Sequence, residues 1–171
     1  MTSRALGALL TLGALLTLSA CRSQPTPIPA SEDPPAAVLA LGDASMYEAD
    51  EPGQAITLDP QGRITALGQP IGRVHRDGRL TSLRGQTLAR LRDDGVVIIS
   101  KVVHPMTIDE RGVARQDGDG GAIYFDSDGT LIGANPAAPA MLSTGCQGPV
   151  ARTCMFILIV TATPLNPDAA R

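Results

Sequence analysis

The chain has 171 residues, with 14 Lys and Arg against 17 Asp and Glu, a net charge of −3, 43% apolar side chains and only 2% aromatic ones. That length suits one domain, and the balance of charge supplies no basic face for phosphate contacts, which argues against a nucleic-acid partner. Without Trp, and with few other aromatics, the core must be built from Leu, Ile, Val and Ala.

Residues 1–20 read as a targeting segment. Arg4 precedes a mostly apolar run from Ala5 to Leu18. That run is too short to cross a bilayer, which takes about 20 residues, so a cleaved signal peptide is expected. It ends in Leu18-Ser19-Ala20-Cys21. These four residues resemble the lipobox of bacterial lipoproteins: a Leu, a small polar residue, a small residue and a Cys. The resemblance implies that the Cys21 thiol receives a diacylglycerol, that the chain is cut before it, and that the new amino terminus is acylated, as by palmitate. Two or three acyl chains, at about 0.8 kcal/mol per buried CH2, anchor a protein firmly. The implied location is the bacterial cell envelope. Arg22, where lipoproteins retained at the inner membrane carry Asp, points to the outer membrane.

Residues 21–37 form the expected tether. Five prolines stand between Arg22 and Ala37, which favours an extended spacer of about 3.1 Å per residue. The domain is then expected over residues 38–165. Val38–Leu41 is apolar, and Ala44–Asp50 reads as a weak helix or loop.

From Ile56 to Leu131 the chain repeats. Gly62, Gly78, Gly95, Gly112 and Gly129 are spaced by 16, 17, 17 and 17 residues. Four residues before each stands Leu58, Val74, Leu91, Ile108 or Phe125, and two after each stands Ile64, Leu80, Val97, Ala114 or Leu131. The four turn residues are DPQG, HRDG, RDDG, DERG and DSDG. Asp first, Pro second and Gly fourth suit a type I turn closed by a left-handed glycine bulge. Each copy therefore predicts strand, tight turn, strand. The period is too short for a propeller blade or a helix pair, which take about 40 and 33 residues. The expected fold is all-β: an antiparallel meander of about ten short strands, as an open sheet or small barrel.

Val96 to Val103, rich in β-branched residues, is expected in the middle of the sheet and ended by His104-Pro105, because proline cannot donate to a ladder. Residues 115–121 read as a polar glycine-rich loop, and 134–140 interrupt the repeat. Cys154 to Val160 is continuously apolar and reads as a strand buried on both faces. Residues 166–171 read as a frayed tail.

With Cys21 lipidated, Cys146 and Cys154 remain, and export to an oxidising compartment predicts a disulfide between them. Their spacing is not that of a C-x-x-C redox pair. Ala122 to Leu131 resembles the first motif of haloacid dehalogenase-like phosphatases, a strand followed by D-x-D-G-T-L. That resemblance would make Asp126 the nucleophile and Asp128 the acid/base. The 42 residues after Gly129 lack the helical crossovers and the Lys that this family supplies later, so Asp126–Gly129 is read as the fifth turn. Asp117, Asp119, Asp126 and Asp128 are weighed as calcium ligands, but turn aspartates ordinarily bond their own backbone. His75 and His104 read as solvated loop residues. No catalytic set, metal or cofactor is therefore expected. The expected role is a structural or protein-interaction one at the envelope, with an envelope partner. The alternative is a small-molecule or ion-binding module using residues 115–128 or a barrel interior. An apolar cavity would favour the alternative, and a packed sheet the first.

Overall fold

The computed structural model describes residues 35–116, 121–133 and 139–163. The signal segment, Cys21, the tether before Pro35, the centre of the 115–121 loop, most of the 134–140 interruption and the tail lie outside the described residues.

The described chain is an antiparallel sheet followed by one helix. Its strands are β1 (Ala44–Glu48), β2 (Ile56–Leu58), β3 (Arg63–Ala66), β4 (Gln69–Val74), β5 (Arg79–Ser82), β6 (Thr87–Leu91), β7 (Val96–Ile99), β8 (Val102–Ile108), β9 (Ala114–Gln116), β10 (Ala122–Phe125), β11 (Leu131–Ile132) and β12 (Met141–Thr144). The helix α1 spans Ala151–Ala162. Strands β1 to β11 follow one another around the sheet, and β12 returns to pair with β1. A single bridge, Thr130 to Leu142, joins the two ends of this ribbon. The meander thus curls into a nearly closed barrel, with a seam between β11 and β12.

The repeat explains the curl. Hairpins β2–β3, β4–β5, β6–β7, β8–β9 and β10–β11 carry the five D-x-x-G-type turns. All five turn glycines have φ between 75° and 85°. At the first turn Gly62 N–H donates to the Asp59 carbonyl at 2.8 Å, and Asp59 N–H to the Arg63 carbonyl at 3.1 Å. The glycine carbonyl then accepts from the next hairpin: Gly62 from Val74 N–H at 2.8 Å, Gly78 from Leu91 at 2.8 Å and Gly95 from Ile108 at 2.8 Å. The first three turns are thereby stitched, each to its neighbour, at one rim, and Gly129 accepts in the same way from Ser143 N–H of β12 at 2.7 Å. Toward the other rim, register shifts follow at Ile64/Thr65, Leu80/Thr81 and Val96/Ile98. Such bulges bend a sheet and increase its twist.

The predicted apolar positions form the core. Leu58, Ile64, Val74, Leu80, Leu91, Val97, Ile108 and Ala114 are all buried, while Phe125 and Leu131, near the seam, are partly buried against them. Their period-2 alternation turns one sheet face inward.

Cys154 to Val160 corrects the sequence reading: it is helix, not strand. From Arg152 to Ile157 every consecutive residue is buried, so all sides of α1 are covered. The reason is hydrogen bonding. Every strand but the two at the seam pairs on both sides, and those two lie in the wall, so a strand in the interior would find no partner for its backbone, whereas a helix satisfies its own. The same run of side chains fits a buried strand or a buried helix, and periodicity does not separate them.

Two further corrections concern boundaries. Ala44–Glu48 is strand β1 rather than helix or loop, and its alternating burial (Ala44 and Met46 inside) is the signal. Strand β8 runs through His104-Pro105 to Ile108 rather than ending there. Val96 pairs with Thr107 and Ile98 with Val103, so His104, Pro105 and Met106 stand opposite Val97 alone. Proline is tolerated where a bulge leaves its missing donor unneeded. The β-branched stretch from Val96 does lie well inside the strand order, turning once at Ser100-Lys101 between β7 and β8.

A candidate binding site at the mouth of the barrel

The two ends of the barrel differ in chemistry. The rim carrying the glycine turns is polar and closed. Asp59, Asp77, Asp94 and Asp109 there pair with Arg63, Arg79, Arg92 and Arg115. Burial opposes ionisation of Asp59, Asp77 and Asp109, but backbone amides and the neighbouring guanidinium groups outweigh it and hold all three below the usual carboxylate range. An extended segment crosses this end: Ala37 N–H donates to Leu91 O at 3.1 Å and Leu39 N–H to Arg76 O at 2.9 Å. Beneath it α1 begins. Thr153 Oγ1 donates to Ala40 O at 2.6 Å, and Arg152 Nη2 to Asp93 O at 3.1 Å. The disulfide between Cys146 and Cys154 is formed, with Cα atoms 5.8 Å apart, and fastens the end of β12 to the first turns of α1.

The opposite rim is open. The last turns of α1 emerge there, and two apolar clefts flank them. One, about 510 Å³, lies between Ile64, Ile71, Leu80 and Leu88 of the sheet and Val160 of the helix. The other, about 350 Å³, opens beside the seam and is lined by Met106, Ile123, Leu131 and Met141 opposite Met155 and Leu158. Volumes of roughly 300–1,000 Å³ with an apolar lining and few polar groups are those of small-molecule sites. The seam-side cleft carries its polar groups at the rim: Glu48, His104 and Thr163.

His104, expected in a solvated loop, is held instead in the bulge of β8. Met106 N–H donates to its Nδ1 at 3.2 Å, so Nδ1 is the acceptor and Nε2 bears the proton. That proton faces Thr163 Oγ1 at 3.3 Å, and Thr163 donates its own hydroxyl to Ile159 O at 2.7 Å. Burial pushes the imidazole pKa down, so the ring is a neutral, oriented donor on the edge of an apolar space.

The other predicted residues stand elsewhere. Gly62, Gly78, Gly95, Gly112 and Gly129 are structural turn positions at the closed end. Asp126 Oδ1 accepts from Asp128 N–H at 3.0 Å and Thr130 N–H at 2.9 Å, which is how a turn aspartate caps its own backbone. Asp117 and Asp119 lie outside the described residues. His75 bonds Thr81 at 3.0 Å near the closed end, far along the strands from His104. Among the described residues no three His, Cys, Asp or Glu side chains gather as a metal site. A larger concavity of about 700 Å³ lies among Ser45, Thr57, Thr65 and Asp59. Its polar groups already bond one another, as Thr57 does Thr65 and Asp59 does Arg63.

No protein-family model, curated protein or solved structure matches the chain.

Proposed function

We propose that the protein is a lipid-anchored bacterial envelope protein, tethered through Cys21, whose barrel is a non-catalytic binding module for an aliphatic chain. The lipobox resemblance supports the anchor and the envelope location, with the outer membrane favoured by Arg22. The apolar cleft beside α1 supports the ligand class and is the observation that carries the reading. Its walls are unbranched Met and aliphatic side chains, which adapt to a flexible chain. The aromatic content of 2% leaves little surface for stacking a sugar or a base. Glu48, His104 and Thr163 at the rim would meet the polar end of such a ligand.

Displacement of an environment-sensitive fluorescent fatty acid tests the ligand. Wild-type protein is expected to bind it saturably. Ala162→Phe, which adds bulk at an exposed position lining the cleft, is expected to abolish binding while leaving the melting temperature unchanged. Absence of saturable binding, or equal binding by Ala162→Phe, would overturn the reading. For the anchor, Cys21→Ser is expected to shift the protein out of the acylated membrane fraction; unchanged mobility and fractionation would contradict it.

A further inference from the structure

The open rim has a second feature that does not depend on the clefts. Three neighbouring hairpins reach it, and each places a large apolar side chain at its tip. Leu67 joins β3 to β4 and is 63% exposed; Leu83 joins β5 to β6 at 66%; Val102 and Val103 follow the β7–β8 turn at 68% and 62%. Scattered exposed apolar residues need no explanation, but a contiguous group marks a contact surface. These hairpins are contiguous in the strand order, so their tips form one arc of the rim.

Backbone strain singles out the same tips. Leu67 has φ 53° and precedes Gly68 at φ 72°. A two-residue turn with both φ values positive favours Asn-Gly, and a bulky side chain at the first position is disfavoured. Leucine here works against the turn, as residues retained for contact rather than for folding do. The β7–β8 turn repeats the geometry with Ser100 at 50° and Lys101 at 67°.

Charge completes the arc. Arg84 follows Leu83, and Lys101, the one lysine of the chain, precedes Val102. Both are exposed, and among the described residues neither forms an ion pair, whereas arginines at the closed end are held by aspartates. Beside the arc, next to the β3–β4 hairpin in the strand order, the end of β1 and its connection to β2 present Glu48, Asp50 and Glu51, all exposed. Apolar tips interleaved with free cations suit an anionic bilayer, with the side chains in the interface and the charges among headgroups. The acidic connection flanks the arc on its β3 side, so its repulsion would tilt the barrel toward the β5–β8 part of the arc, where both cations stand. From these observations we infer that Leu67, Leu83, Val102 and Val103, with Arg84 and Lys101, form a docking face by which the open end of the barrel seats on an anionic phospholipid membrane.

The chain has no Trp, so Leu83→Trp introduces a single reporter. The full chain is mixed with vesicles containing phosphatidylglycerol and a brominated phospholipid. The indole introduced by Leu83→Trp is expected to shift its emission to the blue and to be quenched several-fold more than one introduced by Gln61→Trp at the closed end. Lys101→Glu with Arg84→Glu is expected to remove most of that quenching. Leu67→Asn is decisive, because it relieves the turn: the melting temperature should rise while quenching at position 83 falls. Equal quenching at both ends would overturn the docking face and indicate proximity through the tether alone. Quenching unaffected by Leu67→Asn and by the charge reversals would overturn it too. Fatty-acid binding in solution uses other residues and is expected to survive these substitutions, so failure here is distinguishable from failure of the ligand reading.

Discussion

At Gly62 two separate demands meet. Its φ of 81° is costly for any residue with a Cβ, and a Cβ built there would stand 2.1 Å from the Val74 carbonyl. The second demand comes from the next hairpin, whose amide bonds the Gly62 carbonyl. Gly62→Val is therefore expected to destabilise the domain by about 2–4 kcal/mol, combining strain with a lost hydrogen bond. Asp126→Asn keeps an acceptor for the amides of Asp128 and Thr130, and is expected to stay within about 0.5 kcal/mol of wild type. Thermal melts of the two variants check both. Acid should act in two stages. Asp59, Asp77 and Asp109 have folded pKa values below their unfolded ones, so their contribution is present above about pH 4 and is lost as pH falls through the folded values. The pKa of His104 is also lowered in the fold. The unfolded chain thus takes up its proton first, and that contribution is full above about pH 6.5 and declines below it. The melting temperature of wild type is expected to fall gently below pH 6.5 and steeply below pH 4. His104→Gln should flatten only the first decline.

Among elements, the hairpins were legible and the helix was not. Leu58, Gly62 and Ile64, and their equivalents in each copy, carry side-chain period and turn chemistry together, so each predicts its neighbours. Cys154 to Val160 carries neither. Its apolarity reports burial on all sides, and what decides helix over strand is a barrel already paired with itself, which is information held by other residues. Pro105 misled in the same way, since its cost depends on whether the opposing strand is in register. Helix α1 plugs the barrel, its side chains joining those of the sheet in one core. Phe156 is fully buried in the same core cluster as the inward-facing sheet residues, so Phe156→Ala is expected to cost about 3–5 kcal/mol. Chemical denaturation checks this; a cost near that of a surface substitution would place the helix outside the barrel.

At the scale of the molecule, the barrel has a sealed, ion-paired end and an open, apolar one, and the candidate site belongs to the second. The repeat predicts the sealed end because its residues recur in phase. The open end is assembled from residues with no common period: Met106 in a bulge, Met141 across the seam, Met155 on the helix and Leu67 in a strained turn. Nothing in the order of these residues announces that they meet, so an interior site could be named as an option but not located. Methionine supplies the most direct test, because three of the five methionines in the chain line the seam-side cleft and Met46 lies buried outside it. Carbon-13 methyl spectra of the methionine-labelled protein, titrated with a medium-chain fatty acid below its micellar concentration, read the site residue by residue. The methyl signals of Met106, Met141 and Met155 are expected to move saturably while that of Met46 stays in place. A titration in which all three remain fixed, or in which Met46 moves with them, would contradict a ligand held beside α1.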